Sequence, residues 1–107
     1  MASAEELKRI GLRDLHYRWR ELRDQLFMGE KLLLCNRGKP IAFIKPLQGR
    51  ARIPKEALVR NISYVHRHRR EFTFELMDGN RIVFVYKGRK IALVDPKLPA
   101  RLKERGF

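Results

Sequence analysis

A single cysteine, Cys35, is all that the 107-residue chain contains. Neither an intramolecular disulfide nor a zinc finger built on cysteines can form from it, and it reads most simply as a small buried hydrophobe in a strand. No apolar run approaches the ~18 residues needed to cross a bilayer. The opening stretch, MASAEELKRI, is charged and lacks the apolar core of a secretory signal. The expectation is a cytoplasmic protein without a membrane partner. Enzyme signatures are missing too: no Ser/His/Asp set, paired-carboxylate motif, Walker loop or Gly-rich nucleotide turn stands out. The chain is therefore not read as an enzyme, and no cofactor is assigned. His66 and His68 stand two residues apart, point in different directions on a helix and have no evident third ligand, so a metal is not expected. Acidic side chains are scarce, 12 against 25 Lys and Arg.

What is present is therefore strongly cationic, with a formal charge of +13 and a pI near 10.7. So large a positive field on so small a body suits a polyanionic partner, and nucleic acid is the default. Hydrophobic residues make up 44% of the chain, enough for a core in one ordinary domain or two very small ones.

Displaced by 50 positions, the sequence aligns with itself without a gap. From His16 to Pro46, nine of 31 positions are identical: His16/His66, Arg20/Arg70, Glu21/Glu71, Leu26/Leu76, Gly29/Gly79, Gly38/Gly88, Ile41/Ile91, Ala42/Ala92 and Pro46/Pro96. Conservative pairs such as Leu32/Ile82, Leu33/Val83 and Arg37/Lys87 fill the spaces between them. The charge divides evenly, +6 over residues 1–53 and +7 over 54–107, so both halves carry the field and neither is a basic tail.

Within the first copy, Ile10–Leu12 reads as a short strand. A helix opens at Arg13–Asp14, with Leu15, Trp19, Leu22 and Leu26 along one face and Arg18, Arg20, Arg23 and Asp24 on the other. Trp19 on that stripe reads as core. Gly29 suits a left-handed helix cap. Residues 31–35 and 40–46 read as two strands of a hairpin turning at Asn36–Lys39, where Gly38 supplies positive φ. In the second copy residues 81–86 and 91–94 form the matching hairpin. Residues 71–76 alternate like a strand, yet the gapless repeat predicts helix. Residues 48–58 read as a linker with a short helix at Lys55–Val59, and residues 99–105 as a short closing helix.

The run Gly29–Glu30, Leu32–Leu34, Asn36–Ala42 and Pro46, with Leu15, Leu22 and Leu26 upstream and Ile10 and Leu12 before them, resembles the Phd/YefM family of antitoxins and repressors across residues 10–47. Gly79, Lys87–Arg89, Ile91–Ala92 and Pro96 make the second half resemble a degenerate copy. The resemblance implies a DNA-binding module that pairs its sheets into dimers and presents the start of its helical region to an operator. Carried over, the DNA-contacting positions are Arg13, His16, Tyr17, Arg18 and Arg20 in one copy. In the other they are Ser63, His66, Arg67 and His68, with Arg69 and Arg70 beside them. His16 and His66 stand where the family commonly has Arg. A second repeat stands where the family's toxin-wrapping segment would follow, which weakens the case for toxin neutralisation and leaves that for DNA binding.

The expected architecture is α+β: two tandem repeats of strand, helix and β-hairpin, residues 1–50 and 51–107, folded together as an intramolecular pseudo-dimer. The expected function is a DNA-binding transcriptional repressor with double-stranded DNA as partner. The alternatives are a sequence-neutral DNA-coating, chromatin-like protein and an antitoxin-type inhibitor of a toxin or other protein. A homodimer is left open, and RNA binding ranks below these because no aromatic platform of the usual kind is evident.

Overall fold

The computed structural model describes residues 8–47 and 53–98. The first half runs β1 (Lys8–Gly11), α1 (Asp14–Tyr17), α2 (Trp19–Phe27), β2 (Leu32–Asn36) and β3 (Lys39–Pro46). The second runs β4 (Leu58–Asn61), α3 (Ile62–Arg67), α4 (Arg69–Met77), β5 (Ile82–Tyr86) and β6 (Arg89–Asp95). The fold is mixed α+β, and nearly every element of the second half begins 50 residues after its counterpart in the first.

Local chemistry explains the elements. Leu15, Leu22 and Leu26 are buried on one helical face, and so are Val65, Phe72 and Leu76 in the second half. The alternation through Phe72, Phe74 and Leu76 is thereby resolved. Phe72 and Leu76, four apart, face the core, and Phe74 points outward at 58% exposure, as a helical period requires. The single helix expected in each half is broken at Arg18 (φ −117°, ψ 26°) and at His68 (φ −124°, ψ 52°). Each break lets a short first helix turn toward its counterpart while the longer second helix lies on the sheet. α2 and α4 end alike. Gly29 (φ 87°) and Gly79 (φ 91°) take the left-handed conformation, and Glu30 and Asn80 donate back to the carbonyls of Gln25 and Glu75 at 3.0 and 3.1 Å. These Schellman caps satisfy carbonyls that the helix leaves open.

The strands form one sheet ordered β1-β2-β3-β6-β5-β4. β1 runs parallel to β2, and β4 parallel to β5; the remaining neighbours are antiparallel. Both hairpins turn through two residues of positive φ, Arg37–Gly38 (54° and 80°) and Lys87–Gly88 (50° and 78°), the turn whose twist matches the strands it joins. The halves are joined by β3 and β6. Ile44 pairs with Val94, its counterpart 50 positions on, and Phe43–Asp95, Lys45–Leu93 and Pro46–Ala92 flank that pair. The pairing is thus centred on equivalent positions of the two halves.

All four described helices pack on one face of the sheet around a core that crosses the join, with Leu32, Leu34, Ile44, Phe84 and Val94 among its strand members. Full burial of each such side chain contributes about 1.5–3 kcal/mol. On the opposite face Leu33 and Cys35 are buried with Leu98 against them, and burial pushes the Cys35 thiol up.

One expected element is corrected. Lys55–Val59 is not helical: Ala57 N–H donates to the Pro54 carbonyl at 3.1 Å, closing a turn, and Leu58 N–H donates to Arg81 O at 2.8 Å, starting β4. The strand owes its existence to a partner far along the chain, which no local propensity reveals. The closing helix expected at residues 99–105 lies outside the described residues.

Candidate nucleic-acid interface

Each short helix starts on a side-chain acceptor. Asp14 Oδ2 takes the Gly11 N–H at 2.8 Å, and Asn61 Oδ1 takes the Ser63 N–H at 3.1 Å as the N-cap of α3. So anchored, α1 and α3 pack against each other. Two equivalent side chains meet there: the rings of His16 and His66 stack at 4.8 Å between centroids, 18° from parallel. Tyr17, 74% exposed, stacks on the same His16 at 4.9 Å.

The two histidines are not alike. His66 is half-buried and its Nε2 lies 2.5 Å from the Leu15 carbonyl oxygen. That oxygen only accepts, so Nε2 carries the proton. Burial pushes His66 below its ordinary value; the bond to Leu15 works the other way, and a charge on His16 would lower it further. His66 is thus held largely neutral and committed to the fold, whereas His16 is exposed.

The predicted arginines separate into two groups. Arg13, Arg20, Arg67 and Arg70 are exposed and Arg69 half-buried, and none of them makes a side-chain hydrogen bond or ion pair among the described residues. Arg13, Arg67, Arg69 and Arg70 line one open groove of about 1090 Å³, joined by Arg37 from the first hairpin tip. Arg18 belongs to the other group. Its guanidinium grips Glu21 at 2.7 and 2.8 Å, and that bond, reinforced by the charge of Glu21, raises its pKa. Lys8 also reaches Glu21, at 3.1 Å, so this charge fastens β1 to α2. His68 packs beside Tyr64 at 4.7 Å, with Nδ1 3.9 Å from Glu71. The structure therefore gathers Arg13, His16, Tyr17, His66, Arg67, Arg69 and Arg70 around the α1–α3 junction and its groove, and holds Arg18 in a separate ion-pair cluster.

An unpaired guanidinium keeps all five donors for a phosphate or a base edge. One already clamped by a carboxylate offers less.

Sequence reasoning gave no role to Phe74 and Met77, which also line the groove. Their only signal is negative: apolar residues at the outward positions of a helix whose inward stripe is already complete. Trp19, expected in the core, is half-buried and packs edge-on to Phe84 and Tyr86 at 6.5 and 5.7 Å between centroids. Arg23, read as part of a solvated face, donates from Nη1 to Tyr86 Oη at 2.7 Å, the bond that chiefly lowers the tyrosine's pKa.

No family model, curated protein or solved structure matches the chain. Among the described residues no helix is long and apolar enough to cross a membrane.

Proposed function

We propose that this chain is a transcriptional repressor that binds duplex DNA, built from two Phd/YefM-like repeats paired as an intramolecular pseudo-dimer. One observation carries the reading. Four arginines without ion-pair partners among the described residues, Arg13, Arg67, Arg69 and Arg70, converge on one groove beside the stacked His16–His66 pair, where the short helices of the halves meet. The net charge of +13 supports it. Arginine closes on phosphate by charge and reads guanine through its planar fork. The joining of β3 to β6 about Ile44 and Val94 supports the pseudo-dimer, since pairing of equivalents is what an isologous interface produces. The two halves would address adjacent segments of one duplex, with Arg13, His16, Tyr17 and Arg20 from one and Arg67, His68, Arg69 and Arg70 from the other.

Selection of bound duplexes from a random pool at two ionic strengths tests this. A sharp motif that persists at the higher salt is the expected outcome. Binding without a motif would replace the repressor with a DNA-coating protein, and no association with any duplex would overturn both.

A further inference from the structure

The two halves are built alike, so each should carry the same cleft between its own helix-entry loop and hairpin tip and the long helix of the other half. They do not. On one side the cleft is filled by rings. Trp19 of α2 reaches Phe84 and Tyr86 of β5, and Arg23 closes over Tyr86, 5.3 Å from the ring centroid and hydrogen-bonded to its hydroxyl. On the other side the positions 50 residues away hold Arg69 for Trp19, Leu34 for Phe84, Asn36 for Tyr86 and Thr73 for Arg23. Aromatic rings are exchanged for smaller or charged side chains, and this is the side on which the open groove lies.

The groove has the character of a binding site and not merely of a packing gap. Five arginines, Arg13, Arg37, Arg67, Arg69 and Arg70, line it, and Glu71 is the one carboxylate among the lining residues described. Its remaining wall is apolar. Phe74 and Met77, three apart on α4, are 58% and 70% exposed, and Leu12 stands among the lining residues with them. At about 1090 Å³ the volume lies slightly above the usual range for a small-molecule pocket, so a single ligand would occupy part of it. Phosphates of a duplex gain nothing from exposed Phe and Met. A ligand bearing both a ring and a negative charge uses every part of the wall: arginine pairs with anions and also stacks on aromatic faces.

We infer that this groove is a binding site, present once per chain, for an aromatic organic anion whose ring replaces the Trp19–Tyr86 filling of the twin cleft and whose charge pairs with Arg67, Arg69 and Arg70. The inference stands apart from the reading as a DNA-binding protein. If both hold, ligand and duplex compete for the same arginines and the groove is where an effector would release DNA.

The probe is 8-anilinonaphthalene-1-sulfonate, an aromatic anion that fluoresces when its rings leave water, titrated into the full chain without DNA. Saturable binding at one site per chain is expected. The variant carrying Asn36→Tyr, Arg69→Trp and Thr73→Arg copies three of the four filling side chains into the open cleft, sparing the buried Leu34, and leaves the net charge unaltered; it should weaken binding at least tenfold. Phe74→Ser, at an exposed position where the fold has little at stake, should weaken it severalfold and decides the matter if the triple variant fails to fold. Non-saturable binding, or equal affinity for wild type and Phe74→Ser, would overturn the inference.

Discussion

Replacing Arg67, Arg69 and Arg70 together with alanine is the most direct trial of the proposed DNA surface. None of the three side chains has a partner among the described residues, and α4 is held by Phe72 and Leu76, which are fully or almost fully buried. Alanine also favours helix, so the thermal midpoint should hardly move. DNA affinity should change in a specific way. Each phosphate contact contributes about 0.9 to the slope of log K against log salt, so losing three lowers the slope by about 2.7. Between about 50 and 200 mM salt each contact is worth about 3.5-fold, and the wild type should lose about 40-fold more affinity than the variant over that range. Anisotropy of a labelled duplex at several salt concentrations measures this. Arg18→Ala is the internal comparison: Arg18 is already gripped by Glu21, so its removal should cost less than one full contact. An unchanged slope in a triple variant that melts normally would mean that DNA, if bound, lies elsewhere.

Two further outcomes follow from the fold. Gly38 sits at φ +80°, and a Cβ built there meets nothing within 4 Å, so Gly38→Val acts through backbone strain alone; a loss of about 1–3 kcal/mol is expected, and a thermal midpoint equal to wild type would refute the turn geometry. Burial pushes His66 below its ordinary value near 6.5, so as pH falls the unfolded chain takes up this proton first. The stability linked to it is complete above about pH 6.5 and is lost as pH drops from there through the folded value. Urea midpoints measured at about pH 7.5 and about pH 5 should therefore differ, and by less in His66→Gln; an identical difference in both proteins would sink the assignment.

Much of the architecture was legible along the chain because its causes are local. The four-residue spacing of Leu22 and Leu26, the glycines at 29 and 79, and the turns at Arg37–Gly38 and Lys87–Gly88 act within a few residues, and the 50-residue offset carried each reading from one half to the other. That offset correctly overrode the strand-like alternation of residues 71–76. β4 has no such local cause: Pro54 and a half-buried Leu58 look like linker until Arg81 and Ile82 come alongside. The breaks at Arg18 and His68 are not legible along the chain either, since an uninterrupted apolar period conceals a change of direction.

The sequence alone determined the charge, the duplication, the order of helices and hairpins and the run of arginines at 67, 69 and 70, all set by composition or by neighbours within a turn. Folding in three dimensions determined that those arginines share a groove with Arg13, that His16 meets His66, and that one of two like-built clefts is filled by Trp19 and Tyr86. These outcomes depend on side chains brought together across the β3–β6 join from some 50 or more positions apart, and no periodicity along the chain encodes such a meeting.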